Sequence, residues 1–508
     1  MQYKNPVISG FYPDPSICRV GDMYYLVNSS FEYFPGIPIF ESKDLIHWHQ
    51  IGHVIESNNA VHLKRGFPNR TGLYAPTIRH HQGRFYVVCT NVAYDDVDEG
   101  NFIVSADNPA GPWSKPLFLD LPGIDPSLFF DEDGTAYYTG THGNIYICKI
   151  DIETGTMLET RKEIWGGTGG CAPEGPHLYR VNGYYYLMIS EGGTEMGHMV
   201  TIARSLSPYG PYESYEGNPI MTNRSTELPI RAAGHADLVC DPYGNWWAVC
   251  LGVRLISYPL RHNLGRETML VPVTWKDGWP VMGRDGYLDE TIIIDRPHPA
   301  NTDSAKNLED RYDRFVDFTK DYDVMPWNSL YTIDDAIIKQ SSEGLVLYGN
   351  SVRLNEPLHL AWYGRRQCHH DCSVMTSLEF TPLQNGEEAG LTVYMNHQHH
   401  YEIALTMVDG IQCLIFRRQI GSLYRIESSV PYASSKVEFK IDADKSYYRF
   451  SYKVEGEWIS IGCGETQYLT TEVGGCFTGN YFALYTSGDA SLKPAIFKGF
   501  NYVTGAHR

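Results

Sequence analysis

The sequence predicts an all-β protein in which a five-bladed β-propeller is followed by a β-sandwich. A short head motif returns five times within about the first 295 residues. Successive copies start roughly 50 to 60 residues apart, which is the length of one propeller blade. Each copy continues as an apolar run, a Gly-containing turn and an aromatic run, the signal of a β-hairpin. Beyond about residue 310 the repeat stops and short alternating runs replace it.

The head motifs mark where each predicted blade begins. The first, Tyr12–Ile17, reads Tyr-Pro-Asp-Pro-Ser-Ile, and the last has lost its proline. The later heads are Ala75–Ile78, Asp125–Leu128, Ala172–Gly175 and His235–Val239. The innermost strands of a propeller surround one axis, so residues at their heads converge at one end of it. Asp14, Asp125 and Glu174 are therefore expected to meet.

The second half of the chain has a different pattern. The fifth blade is predicted to end with a strand–turn–strand over residues 271–280, and a segment rich in proline and polar residues follows at 296–301. Nine short alternating strands are predicted next, the first at Gly344–Tyr348 and the last at Tyr481–Tyr485, which is typical of a β-sandwich. The predicted domains are a propeller over residues 1–298, a linker over 299–309 and a sandwich over 310–508.

Composition narrows the range of partners. The chain has 508 residues, enough for two or three domains, and a formal net charge of −19. That charge argues against a nucleic acid or an anionic membrane as partner, because both need a basic face. Tyrosine (37) and tryptophan (10) are plentiful, as both β-strands and sugar-binding clefts favour. A neutral ligand such as an oligosaccharide is compatible with these features.

The cysteines and the first residues indicate a compartment. Eleven cysteines, scattered over the whole chain, do not resemble a disulfide framework. The first six residues lack an apolar signal core, and no run has the length needed to cross a bilayer. We expect a cytoplasmic protein. The sequence does not decide the oligomeric state, and a homo-oligomer is compatible with it.

Three of the five heads carry carboxyl groups. Glycoside hydrolysis needs an acid for the leaving oxygen and a carboxylate acting as base or nucleophile on the opposite face of the sugar. Asp14, followed by a proline, is expected on a stiff, extended mount suited to a base that holds one water. Glu174 has the longer side chain needed to reach the leaving oxygen. A nearby Asp125 would raise the pKa of Glu174 by like-charge repulsion and keep it protonated at neutral pH.

Each carboxylate also has a structural interpretation. An aspartate before Pro-Ser commonly opens a turn or caps a strand. Three acidic heads within one five-fold repeat make the catalytic interpretation the stronger one.

Two further polar residues are candidates for the same site. His235, at the fifth head, is expected to ligate a metal in the axial channel, to hydrogen-bond a carboxylate, or to be a satisfied core residue. Arg266 is a candidate clamp for a sugar hydroxyl or for Asp14, and its alternative is a surface salt bridge.

The aromatic and Cys/His clusters have open or negative interpretations. Four aromatic residues could form an apolar sugar platform or pack in the core: Phe31, Tyr33, Phe34 and Tyr74. The segment Cys368–Cys372 has the wrong spacing for a zinc knuckle and is predicted inside an alternating strand, so zinc is not expected there. Three histidines are expected at a strand end on the surface: His397, His399 and His400.

Together, these motifs resemble those of glycoside hydrolase family 43, in the branch of β-xylosidases and α-L-arabinofuranosidases with a C-terminal sandwich. The resemblance covers nearly the whole chain, and the motifs are specific only in combination. They are Asn5–Val7 with Tyr12–Ser16, Phe34–Pro38 with Ser42–Leu45, Gly123–Ser127, Ala172–His177, Gly234–Leu238 and Gly265–Thr268.

The resemblance implies a five-bladed propeller, a concanavalin-like sandwich and hydrolysis with inversion at the anomeric carbon. It implies Asp14 as general base, Glu174 as general acid, and Asp125 as the residue that tunes pKa and orients. It also implies that Arg266 contacts the substrate. No cofactor is implied as required, although some members carry a calcium ion near the counterpart of His235.

The resemblance also bears on the sugar pocket. It places Phe31 in that pocket. Many members have a tryptophan where this chain has Tyr74, which alters one edge of the pocket. Cys476–Gly479 resembles a sandwich-domain loop that closes the pocket, and Phe477 is then expected to limit the enzyme to chain ends.

The resulting hypothesis is an exo-acting hydrolase that removes single β-xylosyl units from the non-reducing end of xylo-oligosaccharides. One alternative is an α-L-arabinofuranosidase or a bifunctional enzyme, because arabinofuranose and xylopyranose present similar hydroxyl geometry to one pocket. Another is a catalytically silent sugar-binding propeller, although the three intact acidic heads argue against silence.

Overall fold

The protein is almost entirely β-strand, as predicted. The computed structural model describes residues 2–56, 60–63, 70–93, 100–295, 298, 314–488 and 493–505. Within these residues the one α-helix, α1, spans Thr471–Gly474. No helix in this described part is long and apolar enough to cross a membrane. The predicted linker, residues 299–309, lies outside the described residues.

The first half of the chain forms the five predicted blades. Blade I comprises β2 (Ser16–Val20), β3 (Met23–Val27), β5 (Gly36–Ser42) and β6 (His49–Ile55), with β1 at Gln2–Lys4 and the two-residue β4 at Tyr33–Phe34. Blade II comprises β7 (Gly72–Leu73), β8 (Thr77–His81), β9 (Arg84–Val92), β10 (Gly100–Ala106) and β11 (Leu117–Phe118). Blade III comprises β12 (Ile124–Phe130), β13 (Ala136–His142), β14 (Asn144–Lys149) and β15 (Lys162–Trp165). Blade IV comprises β16 (Glu174–Val181), β17 (Tyr184–Glu191), β18 (Met199–Ser205) and β19 (Glu213–Ser214). Blade V comprises β20 (Ile230–Cys240), β21 (Trp246–Arg254), β22 (Glu267–Lys276) and β23 (Trp279–Met282).

The first long strand of each blade faces the axis. These strands contact one another in a closed ring, β2 to β8, β8 to β12, β12 to β16, β16 to β20 and β20 back to β2. The chain start is attached to blade V, since β1 pairs antiparallel with β24 (Thr291–Ile293) and the Asn5 side chain donates to the Leu270 carbonyl at 3.0 Å. The five heads therefore lie around one axis, as the repeat predicts.

The backbone is bent at the heads that carry polar side chains. Asp14, Asp125 and His235 have φ of 51°, 54° and 46°, in the left-handed region that non-glycine residues rarely adopt. The ladders of β12 and β20 shift register beside Asp125 and His235, and that of β16 shifts beside Glu174, as β-bulges do. The predicted extended conformation of Asp14 is therefore wrong, because the surrounding strands override the preference of a residue before proline.

The second half of the chain folds as a sandwich. Its strands are β25 (Arg314–Asp317), β26 (Trp327–Leu330), β27 (Ile338–Ser341), β28 (Gly344–Leu347), β29 (Ala361–Arg366), β30 (Cys372–Glu379), β31 (Glu388–Asn396), β32 (His399–Val408), β33 (Ile411–Ile420), β34 (Leu423–Pro431), β35 (Lys436–Ala443), β36 (Tyr447–Val454), β37 (Glu457–Glu465), β38 (Tyr481–Ser487) and β39 (Ala495–Thr504). One sheet has the order β27-β28-β39-β30-β35-β36-β37, with β25 also on β39, and the other runs β34-β33-β32-β31-β38-β29-β26. Residues of both sheets, such as Val374 and Leu391, share one buried core.

The compact units do not follow the chain order completely. The connection Leu255–Gly265, between β21 and β22, belongs to the same compact unit as the sandwich strands. Within that unit the backbone N–H of Asn480 donates to the carbonyl of Asn263 at 2.9 Å, and His262 Nδ1 lies 2.8 Å from a Glu472 carboxylate oxygen.

Two sequence interpretations in the sandwich are wrong. The segment Cys368–Cys372 is the connection between β29 and β30, and only Cys372 is in a strand. The three histidines expected on the surface, His397, His399 and His400, are buried. The outward face of a sandwich sheet is not always solvated, so strand alternation alone does not show which side chains are exposed.

Candidate active site

Asp14 is a buried carboxylate held from two sides. Arg266 donates from Nη1 to Oδ1 at 2.7 Å, and the Ser29 hydroxyl donates to Oδ2 at 2.5 Å. Burial opposes ionisation of Asp14, but Arg266, then His235 and Ser29, outweigh it and lower the pKa of Asp14. Asp14 is therefore ionised at neutral pH and fixed in orientation. This geometry confirms the contact between Arg266 and Asp14 and excludes the surface salt bridge considered for Arg266.

Asp125 connects the backbone of the neighbouring blade to the site. Its Oδ2 accepts a hydrogen bond from the Gly175 N–H at 3.0 Å. Burial raises the pKa of Asp125, and the Asp14 charge adds to this, against a lowering by His235. Asp125 thus holds the residue that directly follows Glu174.

Glu174 opens β16 and is the most accessible of the three carboxyl groups. Its side chain is 19% exposed, against 5% for Asp14. Burial raises the pKa of Glu174 to about 8, with Asp125 and then Asp14 adding to the effect. The expected like-charge repulsion is present but ranks second, after burial. Glu174 is accordingly protonated at neutral pH and reachable from solvent.

These three residues, the carboxylate cluster, have divided roles because of their environments. Asp14 has a lowered pKa beside an arginine, and Glu174 has a raised pKa because it is buried near two other carboxyl groups. Pairs of carboxyl groups whose environments push their pKa values apart are the arrangement that acid–base catalysis uses. The cluster can hold a base and an acid at the same pH.

His235 lies beside Asp14. Its Nδ1 is 3.8 Å from Asp14 Oδ1, and its backbone N–H donates to Ser190 Oγ at 2.6 Å. Calcium takes six to eight oxygen ligands, roughly, whereas no group of three or more His, Cys, Asp or Glu side chains suited to a metal occurs among the described residues. His235 is thus placed beside the Asp14 carboxylate, and its expected role as a metal ligand stays a prediction.

The candidate aromatic platform divides into two parts. Phe31 and Tyr74 lie together, with ring centroids 5.0 Å apart, and the Arg266 guanidinium carbon is 5.6 Å from the Phe31 ring. This brings Phe31 next to the residue that holds Asp14. Phe31, Tyr33 and Phe34 are all buried, whereas Tyr74 is partly exposed and is the accessible member of the four.

Phe477 lies in the compact unit of the sandwich, in the segment after α1. Its ring is half-buried, and the Arg70 guanidinium carbon is 6.0 Å from the ring centroid. Its expected role in limiting the enzyme to chain ends stays a prediction.

Sequence reasoning missed three residues of the site. Ser29 binds Asp14, and Thr194 accepts a hydrogen bond from Arg266 Nη1 at 3.2 Å. His198, fully buried at the end of the β17–β18 connection, has its Nε2 3.7 Å from Glu174 Oε1. Burial, followed by His235 and Arg266, lowers the pKa of His198 to about 3, so it is neutral. None of them lies in a head motif, which is the signal that identified the others.

A second polar cluster lies two to five residues further along the inner strands. We call it the axial cluster, and it draws on all five blades. Its members are Ser16, Arg79, Ser127, His177, Tyr179 and Asp237. Arg79 donates two hydrogen bonds to Asp237, at 2.8 and 3.2 Å, and the Tyr179 hydroxyl donates to Asp237 at 2.7 Å.

Comparison with known proteins finds matches over nearly the whole chain. A family model described as glycosyl hydrolases family 43 matches residues 3–280, and one described as the β-xylosidase C-terminal concanavalin A-like domain matches residues 316–503. These two matches confirm the predicted resemblance and the class of the second domain.

Named relatives carry two activities. A non-reducing end α-L-arabinofuranosidase of Bacteroides ovatus is 38% identical over 98% of this chain and 94% of its own. A xylosidase/arabinosidase of Butyrivibrio fibrisolvens is 36% identical over 96% of each chain. A β-xylosidase of Bacillus subtilis is 32% identical over 99% of each.

A solved structure agrees with the fold. The xyloglucan-locus GH43B protein of Bacteroides ovatus superposes with a TM-score of 0.93 at 36% identity, covering 99% of this chain and all of that one. The propeller and sandwich are therefore those of a known architecture.

Proposed function

The chain belongs to glycosyl hydrolase family 43, and we propose that it is an inverting, exo-acting β-xylosidase that releases xylose from the non-reducing end of β-1,4-xylo-oligosaccharides. The observation that carries this proposal is the split in the carboxylate cluster. Asp14 is ionised beside Arg266, while burial holds the pKa of Glu174 at about 8.

Each residue has one step in the proposed reaction. Asp14 takes a proton from a water, and that water attacks the anomeric carbon from the face opposite the leaving group. Glu174 gives its proton to the departing glycosidic oxygen as the bond to carbon breaks. The two protons are thus accounted for, and the sugar leaves with inverted configuration.

The other residues hold these two groups in place. Arg266 and Ser29 each bind one Asp14 oxygen, so the free lone pairs of that carboxylate have a defined direction. Asp125 binds the Gly175 N–H and contributes charge that keeps Glu174 protonated. Phe31 and Tyr74 supply apolar surface beside Arg266 for a sugar ring.

An α-L-arabinofuranosidase is the second candidate function. The observation that favours it is the 38% identical relative named as a non-reducing end α-L-arabinofuranosidase. The carboxylate cluster would act in the same way on either sugar, so the choice depends on the pocket.

The test compares kcat/KM on an aryl β-D-xylopyranoside, an aryl α-L-arabinofuranoside and xylobiose. A preference of more than about tenfold for the xyloside, or roughly 1.4 kcal/mol of transition-state binding, supports the β-xylosidase. The opposite preference, for the arabinofuranoside, would support the α-L-arabinofuranosidase instead. The anomer released first, followed by NMR, checks inversion, and release of the β-anomer from the xyloside would contradict it.

Glu174→Gln is the matched control for this test. Loss of the acid is expected to cost about 10²- to 10⁴-fold on xylobiose, whose leaving group needs a proton. An unchanged rate on xylobiose would remove Glu174 from the mechanism.

A further inference from the structure

The segment that leads into Glu174 is largely exposed. We call residues 166–173 the acid loop, because it connects β15 to the strand that begins with Glu174. Gly169, Cys171 and Ala172 are exposed. An exposed loop with several glycines has high conformational entropy, so a fixed position for the following residue needs an anchor.

Glu191, at the end of β17, provides that anchor. It is fully buried, and its carboxylate accepts hydrogen bonds from the Gly170 N–H at 2.8 Å and the Thr168 N–H at 2.9 Å. The Thr168 hydroxyl adds a bond of 3.1 Å to the same carboxylate, and the Thr201 hydroxyl adds one of 2.6 Å. The donors in these bonds are backbone amides and side-chain hydroxyls. Glu191 is thus a buried acceptor around which the acid loop folds.

The glycines of the loop fit this arrangement. A Cβ on Gly167 would lie 2.5 Å from the Glu191 carboxyl carbon, and a Cβ on Gly170 would lie 3.0 Å from Glu191 Cβ. Gly167 also has a φ of 81°. Gly167 therefore accepts only a residue without a side chain while the Glu191 carboxylate occupies its place, and Gly170 packs tightly against the same residue.

The same strand pair links the anchor to Glu174. Glu174 pairs with Ser190, the residue before Glu191, in the ladder of β16 and β17. The Gly192 N–H, on the other side of Glu191, donates to the Cys171 carbonyl at 2.7 Å. The loop is therefore fastened to Glu191 through Thr168 and Gly170 and to Gly192 through Cys171, and the strand that follows it pairs with Ser190.

We infer that Glu191 is a positioning residue for Glu174, holding the acid loop so that the proton of Glu174 points at the leaving oxygen. The inference rests on the proposed function of Glu174 as general acid. Glu191 itself touches no reacting atom. A displacement of about 1 Å in a catalytic group can cost about a hundredfold in rate, so loss of the anchor should be visible in catalysis.

The experiment compares Glu191→Ala with Glu191→Gln on two glycosides of the sugar that the wild type hydrolyses. One glycoside is a 2,4-dinitrophenyl derivative, which leaves without a proton, and the other is a disaccharide, which needs one. For Glu191→Ala we expect a loss of about 10- to 100-fold in kcat/KM on the disaccharide and about threefold or less on the dinitrophenyl glycoside. Glu191→Gln keeps an acceptor oxygen for the two amides and is expected to recover most of the activity.

Equal losses on both glycosides, or no loss on the disaccharide, would overturn the inference. Hydrogen exchange of peptides covering residues 166–173 gives a readout without substrate, and faster exchange in Glu191→Ala than in Glu191→Gln is expected. If Glu191→Ala does not fold, Thr201→Val removes one bond of the anchor and should show the same selective loss at smaller size. If the wild type hydrolyses neither sugar, the proposed function is wrong. If the wild type is active and Glu191→Ala keeps its activity on the disaccharide, only the positioning role of Glu191 is contradicted.

Discussion

The axial cluster draws on the inner strands of all five blades and the carboxylate cluster on the heads of three of them, and their charges are arranged in opposite ways. In the axial cluster, Asp237 meets Arg79 through two hydrogen bonds and also accepts from Tyr179 and Ser16. In the carboxylate cluster, three carboxyl groups lie near one guanidinium, that of Arg266, which donates to Asp14 at 2.7 Å.

The pKa shifts follow this difference. Burial opposes ionisation of Asp237, but Arg79 and then His177 outweigh it, and the pKa of Asp237 is held well below its usual range. For Glu174 burial is reinforced by two neighbouring carboxyl groups, and the pKa rises to about 8. One strand framework therefore carries a satisfied ion pair that stabilises the fold and, nearby, an unbalanced group that is available for chemistry.

The largest expected effect is the loss of activity on replacing Asp14, the ionised member of the carboxylate cluster. Asp14→Asn removes the proposed base and leaves Arg266 without its carboxylate partner. We expect kcat to fall by about 10⁴-fold for good and poor leaving groups alike, because water activation is needed in both cases. Steady-state kinetics on both glycosides measures this, and a loss confined to poor leaving groups would assign Asp14 the wrong role.

A substitution in the axial cluster is expected to lower the stability of the protein. Asp237→Asn leaves the buried Arg79 charge without compensation, and we expect the free energy of unfolding to fall by about 3–5 kcal/mol. Denaturant titration measures it. Adding Arg79→Met to Asp237→Asn removes the uncompensated charge and should recover part of the loss. A double variant less stable than Asp237→Asn would contradict this account of the pair.

Replacing Glu174, whose pKa is raised, is expected to increase the stability of the protein at alkaline pH. Because the pKa of Glu174 is about 8 in the folded protein and ordinary in the unfolded chain, the folded state binds the extra proton between those values. Wild-type stability contributed by this group therefore falls as pH rises from about 4.5 to about 8. Glu174→Gln does not ionise, so its Tm should exceed the wild-type Tm by a few degrees, roughly, at about pH 9 and by less at about pH 5. Calorimetry at both pH values checks this, and a pH-independent difference would contradict it.

The smallest expected effect is a shift in a pH profile. Asp125→Asn keeps an acceptor for the Gly175 N–H but removes a charge that raises the pKa of Glu174. The alkaline limb of the pH profile of kcat/KM should move to lower pH. Only part of the pKa shift of Glu174 should be lost, because burial is its larger cause. Asp285→Asn, at an exposed aspartate paired with Lys276, is the control and should leave the limb in place. A limb that moves to higher pH would contradict the conclusion that Asp125 raises the pKa of Glu174.

Much of the fold followed from local patterns. The five hairpins opened at the predicted heads, and the nine predicted strands of the second half, from Gly344–Tyr348 to Tyr481–Tyr485, are all present in the sandwich. Alternation, turn glycines and the length of the repeat are encoded by neighbouring residues, and these suffice to place strands. Strands with weaker alternation, such as β25, β27 and β34, were not predicted.

The sequence by itself determined that Asp14, Asp125 and Glu174 are brought together, because a repeat that closes on itself places equivalent positions around one axis. Only the tertiary structure decided how they are held. The left-handed φ of Asp14 and Asp125, the contacts of Ser29 and His198, and the burial that raises the pKa of Glu174 depend on other blades or on neighbours distant in the chain. Electrostatic energies depend on distance in space and on exclusion of water, and neither quantity is written in the order of residues.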